Sequence, residues 1–415
     1  MTLNLKTGLT RSAVAAVVAL GITAGTASAE TLKIGFIDPL SGASAQTGDI
    51  ELKHWKFAAD KMNEAGGIGG MDVEFVAFDN KGDPKETLVQ YQKAVDQGIH
   101  FVAQGVGSSV SAALTGAVLK NNERNPGEET IFFNIGGIDP SLTNDNCNFW
   151  HFAFDQNVDV KMEGLTNYIE TLPDIKSVYI IAQDYSFGKS FIAAAEKMLA
   201  EKRPDIKIVG SELHPVAKVK DFTPYVQKIM SSGAEAVLTG NWGSDMTLLI
   251  KAAAAAGQEV PYFTYYGGAI GAPSAMGKSA LGLVTQISDF HENADASPEQ
   301  LAKQDEFEAK YPDTDYYYER TFTVLGMLKN AVEKAGGIHM IEVAKALEGM
   351  TYEGPFGTVT MRADDHQLLA PLFVSTFSDD VKRDVEKTGF GFKTDMLVTA
   401  ESTAAPTTCQ MVRPE

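Results

Sequence analysis

The stretch from Ala272 to Ser279 (APSAMGKS) has the spacing of a relaxed phosphate-binding loop, in which four residues separate a small residue from Gly-Lys-Ser. In such a loop, backbone N–H groups surround the phosphate, and a leading Gly lets the chain fold close to it. Here Ala272 takes the place of that Gly, and Pro273 has no N–H to donate. We therefore interpret residues 277–279 as the start of a short helix, and we expect no bound nucleotide and no other cofactor.

Residue sets that support other kinds of catalysis are missing from the sequence. The seven histidines are scattered, with no H-E-x-x-H pattern and no pair four positions apart that would present two imidazoles to one metal ion. No G-x-S-x-G sequence occurs, so the exposed nucleophile of a hydrolase has no candidate. These absences favour a binding function, and we expect no enzymatic activity and no metal site.

The first 29 residues are typical of a cleavable signal peptide. Two basic residues, Lys6 and Arg11, precede an apolar run from Ala13 to Ala24, and small residues follow up to Ala29. The run is shorter than the roughly 20 residues of a membrane span and ends in a cleavage signal. We therefore expect a protein exported to the periplasm and not inserted in the membrane.

The charge and the cysteines agree with export. The chain carries 54 acidic and 35 basic residues, a net charge of −19, which disfavours nucleic acid as a partner. Its two cysteines, Cys147 and Cys409, predict one disulfide in an oxidising compartment, which would attach the tail of residues 401–415 to the folded body. The alternative is two unpaired thiols.

Strands and helices alternate along most of the chain. Apolar, β-branched runs of strand length are followed by amphipathic helical segments from residue 32 to 135, and the same rhythm returns from residue 160 to 256. Continuous apolar strands joined by helices predict parallel sheets covered on both faces. The sequence thus indicates an α/β protein with two similar doubly wound lobes, and a cleft between such lobes is a common place for a small molecule.

Several short motifs occur in a characteristic order and span nearly the whole exported chain. They are IGFIDPLSG (34–42), NEAGGIGG (63–70), GSS (107–109), DPSLT (139–143) and DYSFG (184–188). In this respect the chain resembles the periplasmic substrate-binding proteins of branched-chain amino acid ABC transporters, the leucine-binding family.

The resemblance implies a type I periplasmic binding protein. Such a protein has two lobes joined by three hinge crossovers, closes on a small-molecule ligand, and then docks on the membrane permease of its importer. The lobes implied here comprise residues 30–154 with 289–352, and residues 155–288 with 353–400. We expect a monomer.

The first lobe would supply groups that hold a ligand carboxylate. Ser108 and Ser109 stand where a strand gives way to a helix, and they offer hydroxyl and N–H donors. The backbone of residues 136–138 (Gly136, Gly137 and Ile138) would complete that anion site, with Ile138 in place of the family's Thr. Thr47 replaces a bulky aromatic residue of the leucine binders and would leave more room.

The second lobe would supply aromatic side chains and part of the specificity. Tyr185, Phe187 and Trp242 follow predicted strands and could clamp an apolar ligand. The next loop contains Tyr266 and Gly268, and Gly268 stands where the family places the acid that holds the ligand's ammonium group.

That substitution leaves the ligand class open. Either another acid, such as Asp184 or Asp245, reaches the ammonium group, or the ligand has none. The first hypothesis is a transport receptor for a hydrophobic, branched-chain type amino acid. The second is the same receptor role for an aromatic or apolar carboxylate or amide, and an exported enzyme or a sensory domain are hypotheses from other classes.

Overall fold

The computed structural model describes residues 1–3, 31–269, 271–384 and 386–414. The predicted signal peptide therefore lies, apart from residues 1–3, outside the described residues. Fifteen strands occur in the described part of the chain: β1 (Thr31–Asp38), β2 (Asp72–Asp79), β3 (Phe101–Gln104), β4 (Ile131–Asn134), β5 (His151–Ala153), β6 (Ser177–Gln183), β7 (Lys207–His214), β8 (Ala236–Thr239), β9 (Tyr262–Thr264), β10 (Val284–Ser288), β11 (Thr351–Gly354), β12 (Gly357–Met361), β13 (Leu368–Leu369), β14 (Leu372–Ser378) and β15 (Gly391–Val398).

Twelve α-helices accompany these strands in the same described ranges: α1 (Ala45–Glu64), α2 (Pro84–Asp96), α3 (Ser108–Arg124), α4 (Val158–Glu170), α5 (Ser186–Lys202), α6 (Thr223–Ser232), α7 (Gly243–Ala255), α8 (Ala272–Met276), α9 (Pro298–Lys310), α10 (Arg320–Ala335), α11 (Met340–Leu347) and α12 (Ala400–Thr403). The beginning of α2 illustrates how the sequence specifies a helix start. Asp83 caps α2 by accepting the N–H groups of Lys85 and Glu86, and Pro84 fills the first helical position.

The first lobe is built on a parallel sheet with strand order β2-β1-β3-β4-β5. Its central strands are buried on both faces, as with the adjacent residues Phe36 and Ile37 of β1, because helices cover the sheet from both sides. This is the doubly wound arrangement that the alternating pattern predicts.

The second lobe is built on a seven-stranded sheet with order β15-β14-β10-β9-β8-β6-β7. The five strands from β6 to β10 are parallel, whereas β14 and β15 are antiparallel additions at one edge. The antiparallel pair follows from the connection between β14 and β15, which contains no crossover helix in its described part.

The chain crosses between the lobes three times, at residues 154–157, 289–297 and 370–371. The last crossover differs from the predicted boundary at residue 353. Val359, Met361 and Leu368 of the small β11-β12-β13 sheet are buried in the same core as β1 and α10, so residues 357–370 belong to the first lobe. Their apolar side chains face that core, and the chain returns to the second lobe only at β14.

A disulfide joins Cys147 to Cys409 across 262 positions of sequence, with the two Cα atoms 5.8 Å apart. The tail that carries Cys409 leaves the second lobe at α12 and then lies on the first lobe. There Arg362 Nη1 donates to the Ala405 carbonyl oxygen (2.6 Å), and the Thr408 N–H donates to Asn144 Oδ1 (2.8 Å). The tail is thereby attached to both lobes.

The motif at Ala272–Ser279 has a different local structure from a phosphate-binding loop. Its first five residues form α8, and Lys278–Ala280 form a separate 3-10 turn after Gly277. The expected start of a short helix at residues 277–279 is present as this 3-10 turn, for which Gly277 is the residue before the first turn, and α8 is a further short helix that precedes it. Within the ranges that the structure describes, none of the helices is both long enough and apolar enough to cross a membrane.

Candidate ligand-binding cleft

A cleft between the two lobes lies at the carboxyl ends of the parallel strands, where α/β proteins commonly bind ligands. It encloses about 670 Å³ of space, part of which is open to solvent. Both lobes and the segment before α10 contribute to its wall. The lining residues are Thr47, Gly105, Val106, Gly107, Gly136, Asp155, Tyr185, Trp242, Gly243, Tyr266, Ala269, Tyr317, Tyr318 and Arg320.

Three helices begin at this cleft. The residues before their first turns, Gly107 for α3, Tyr185 for α5 and Trp242 for α7, all line it, and none of these three cap residues bonds the first turn with its side chain. The first N–H groups of a helix have no partner inside the helix, and they carry the positive end of its dipole. The cleft therefore offers N–H donors to an anionic group of a ligand.

The predicted anion site in the first lobe is largely occupied by internal hydrogen bonds. Ser108 Oγ accepts from the N–H groups of Ile138 (3.2 Å) and Asp139 (3.3 Å). The N–H groups of Gly136 and Gly137 donate to Asn134 Oδ1 at 3.2 and 2.7 Å. Of this predicted set only Gly136 lines the cleft, so the backbone of residues 136–138 is a brace for the loop and does not offer free donors.

Ile138 and Ser109 occupy two other positions in this region. Ile138 is 2% exposed and packs in the core of the second lobe, which brings the two lobes into contact beside the cleft. Ser109 is half-buried in the first turn of α3. The loop of the first lobe that carries Ile138 therefore packs against the second lobe.

The aromatic residues of the second lobe divide into lining and supporting side chains. Tyr185, Trp242 and Tyr266 line the cleft, and Trp242 Nε1 donates to the Tyr185 hydroxyl at 2.8 Å. Burial raises the pKa values of Tyr185 and Tyr266, so both hydroxyls stay protonated and can donate. Phe187 does not line the cleft: it is 1% exposed and packs behind Tyr266, with ring centroids 5.9 Å apart.

Gly268 lies just outside the lining residues, and its N–H donates to Gln286 Oε1 at 2.6 Å. An added Cβ would lie 2.8 Å from Gln286 Nε2, so Gln286 fills the space that an acidic side chain would need. The two alternative acids also fail to reach the cleft. Asp184 pairs with Lys189 at the surface (3.3 Å), and Asp245 is buried, accepting from Gln183 Nε2 and the Ala217 N–H, both at 2.7 Å.

A group of charged residues that was not predicted from the sequence lies at the base of the cleft. The Arg320 guanidinium donates to both carboxylate oxygens of Asp289 and to the Ile135 carbonyl oxygen (2.8 Å from Nη1), and it forms an ion pair with Asp155, whose Oδ2 lies 2.6 Å from Nη1. The Lys161 ammonium lies 2.7 Å from Asp155 Oδ1, in a charge contact without hydrogen-bond alignment. Asp155 is the one acidic residue among the described lining residues.

This charged group also ties the hinge together. Asp155 lies in the first crossover and Asp289 in the second, while Arg320 begins α10 of the first lobe. Burial lowers the pKa of Arg320, but the two carboxylates outweigh that effect and raise it well above its usual value. The guanidinium therefore stays charged and links two hinge strands directly beneath the ligand space.

Comparison with known proteins identifies the family. A family model described as periplasmic binding protein matches residues 31–382. The chain belongs to this family. The membership inferred from the short motifs, and with it the type I fold, is thus confirmed.

Two relatives of this periplasmic binding protein indicate its closeness to known members. It is 31% identical over 425 residues to the Leu/Ile/Val-binding protein homolog 4 of Brucella melitensis, covering 99% of this chain and 100% of that one. It is 29% identical to a leucine-, isoleucine-, valine-, threonine- and alanine-binding protein from Brucella ovis solved in a closed conformation, with a TM-score of 0.85 and coverage of 93% and 100%.

A more distant structure shares the fold alone. It is a solute-binding protein of an ABC transporter from Rhodopseudomonas palustris BisB5 in complex with 3,4-dihydroxybenzoic acid. That protein is 16% identical, with a TM-score of 0.77 and coverage of 89% of this chain and 98% of the other.

Proposed function

We propose that this protein is the solute-binding component of an ABC importer, and that in the periplasm it captures a hydrophobic amino acid by hinge closure. Family membership and the names of the Brucella relatives support the receptor role. The permease that would receive the ligand is part of the same proposal, as are the predicted signal peptide and the monomeric state.

The choice between an amino acid and a simple carboxylate as ligand rests on the charge balance of the cleft. Asp155 and Asp289 face Arg320 and Lys161, so the formal charges of this buried group cancel. All three nitrogens of the Arg320 guanidinium are already engaged by protein acceptors, which leaves it a poor receptor for a ligand anion. A monoanion would bring an uncompensated charge into the closed site, whereas a zwitterionic amino acid would not.

The cleft has a suitable partner for each part of an amino acid. The first turn of α3 would hold the carboxylate with its N–H groups, including that of Ser109. Asp155 would accept from the ammonium, because each of its oxygens has one contact and a carboxylate oxygen can accept more than one. The apolar side chain would lie among Tyr185, Trp242 and Tyr266.

An aromatic or apolar carboxylate is the second candidate. Gly268 stands where the family places an ammonium-binding acid, and five aromatic side chains line the cleft. The solved relative with 3,4-dihydroxybenzoic acid supports it only weakly, since that likeness reaches the fold alone.

A matched ligand pair separates the two candidates. L-Leucine and 4-methylpentanoate share carboxylate and side chain and differ only in the amino group. We expect thermal stabilisation and calorimetric binding with leucine, and affinity for 4-methylpentanoate weaker by about 10- to 100-fold, since a charged hydrogen bond contributes about 1.5–3 kcal/mol. Equal affinities, or stronger binding of benzoate, would show that the ligand needs no ammonium group.

Two variants sharpen this test. Asp155→Asn should reduce the preference for leucine over 4-methylpentanoate, whereas Asp184→Asn, at the surface acid, should leave that preference unchanged. Recovery of intact leucine by mass spectrometry after incubation with the protein would support a receptor, and a converted product would support an enzyme.

A further inference from the structure

Two buried carboxyl groups lie beneath the part of the cleft wall that leads into α3. Asp38 ends β1 and Glu51 lies in α1, and both side chains are fully buried. Neither belongs to the lining residues, and neither has a role in the proposed binding of an amino acid. Isolated buried charges are costly, so the pair needs a chemical explanation.

Asp38 anchors the loop of residues 105–107. Its carboxylate accepts from Gln104 Nε2 (3.0 Å), from the Gly105 N–H (2.7 Å) and from the Val106 N–H (3.0 Å). The loop continues into the first turn of α3, where the proposed ligand carboxylate would bind. Three donors to one carboxylate therefore fix the entrance to that helix.

Glu51 lies against the same loop without a normal donor. Neither of its carboxyl oxygens receives a well-aligned hydrogen bond, and a Cβ added to Gly105 would lie 2.5 Å from Glu51 Oε2. Two neighbours can pair with Glu51: Asp38, and the Trp55 indole, whose buried Nε1–H has no acceptor among the described residues. Two ionised carboxylates would repel each other in this buried place, whereas one proton on Glu51 makes it a hydrogen-bond donor to Asp38.

The charged and titratable groups around the pair favour that single proton. Burial, followed by the charge of Asp38, raises the pKa of Glu51 well above its usual value, although Trp55 and the more distant Arg320 lower it. Burial raises the pKa of Asp38 to about 6 against the lowering effect of its donors. Burial, followed by the charge of Glu51, raises the pKa of the neighbouring Tyr318 well above its usual value, so its hydroxyl stays neutral.

We propose that Glu51 is a neutral carboxylic acid whose O–H group donates a hydrogen bond to Asp38, and that this pair positions residues 105–107 for ligand binding. The inference rests on the proposed function for its link to affinity. Tyr318 and Arg320, which neighbour the pair, also line the cleft, so a change in the pair reaches the ligand space from two sides. Glu51 is a positioning residue, and it does not touch the ligand.

The proposal predicts a specific dependence on pH. When Glu51 loses its proton, the two carboxylates repel, and the anchor of Gly105 and Val106 is disturbed. L-Leucine affinity should then fall by up to about tenfold for each pH unit above the pKa of Glu51, the limit for one linked proton. Glu51→Gln keeps a donor at the same place but cannot titrate.

Calorimetric titration of L-leucine between about pH 7 and pH 9, above the pKa of about 6 of Asp38, tests this link with the full exported chain. Affinity should vary with pH in the wild type, stay within about twofold in Glu51→Gln, and be weak at every pH in Glu51→Ala. Glu64→Gln, an exposed acid at the end of the same helix, should behave like the wild type. A wild-type pH profile in Glu51→Gln, or wild-type affinity in Glu51→Ala, would overturn the positioning role.

An experiment without ligand tests the protonation state of Glu51 separately from the proposed amino-acid binding. Infrared difference spectra of wild type minus Glu51→Gln at neutral pH should show the carbonyl band of a protonated carboxylic acid. If that band is missing, the neutral Glu51 is wrong, whatever the protein binds. If the band is present but leucine fails to bind at any pH, the proposed amino-acid ligand is wrong and the protonation state stands.

Discussion

Replacement of Arg320 by Leu tests whether the charged group holds the hinge. The guanidinium is 6% exposed and bonds Asp289, the Ile135 carbonyl oxygen and Asp155. Without it Asp155 keeps Lys161, but Asp289, with 14% of its side chain exposed, loses its cation. Removing one partner of a buried ion pair costs about 3–5 kcal/mol, chiefly because the other charge stays buried.

Urea unfolding at pH 7 measures this loss as a change in the free energy of unfolding. Arg413→Leu is a matched control, because Arg413 is 41% exposed in its pair with Glu348, and exposed pairs contribute at most about 1 kcal/mol. Adding Asp289→Asn to Arg320→Leu should recover part of the stability by removing the unpaired charge. A loss for Arg320→Leu no larger than for Arg413→Leu would refute the hinge role.

The remaining predictions concern the core, pH and the disulfide. Phe187→Ala should lower the free energy of unfolding in urea by about 3–5 kcal/mol, because Phe187 is buried in the core. Trp242→Ala should reduce ligand affinity more than stability, because Trp242 lines the cleft. The reverse order of these effects would contradict the assignment of Phe187 to the core and of Trp242 to the cleft wall. Burial lowers the pKa of His151 to about 3, so the free energy of unfolding falls as the pH decreases below about 6.5. His151→Gln should reduce the slope of this free energy against pH by about 1.4 kcal/mol per pH unit. Equal slopes for the wild type and the variant would contradict the lowered pKa. Cys147→Ser with Cys409→Ser should cost about 2–5 kcal/mol in unreduced samples.

The lobes could be predicted because their signal is local and repeated. The first three strands of the first sheet are apolar runs, each followed by an α-helix, and that rhythm specifies parallel pairing and a cleft at the strand ends. The third crossover was misplaced because β12 and β13 are short and carry no such rhythm. Only their packing against the first core shows where they belong.

The residues predicted to bind the ligand do not all line the cleft, and the difference between them has a physical cause. Thr47, Tyr185, Trp242 and Tyr266 line the cleft, while Phe187, two residues after Tyr185, faces the core. At the start of a helix a shift of two positions turns a side chain by more than half a turn of the helix. A loop motif therefore locates the cleft without telling which of its residues face the ligand.

The charged group was missed for another reason. Asp155, Lys161, Asp289 and Arg320 come from four separate segments, and a charged residue in a sequence is by default taken as exposed. Buried ion pairs become visible only when the fold brings their members together. The Asp38–Glu51 pair escaped notice in the same way, since both acids lie in segments that read as ordinary strand and helix.

The disulfide has a consequence for proteolysis. Cys147 and Cys409 close a covalent ring that contains the whole second sheet and all three crossovers, at residues 154–157, 289–297 and 370–371. Cleavage of one peptide bond anywhere in that ring opens it but leaves both fragments joined through sulfur. A protease that cuts a hinge strand therefore cannot release the second lobe until the bridge is reduced, and nicked protein should run as one species on a denaturing gel without reductant and as two with it.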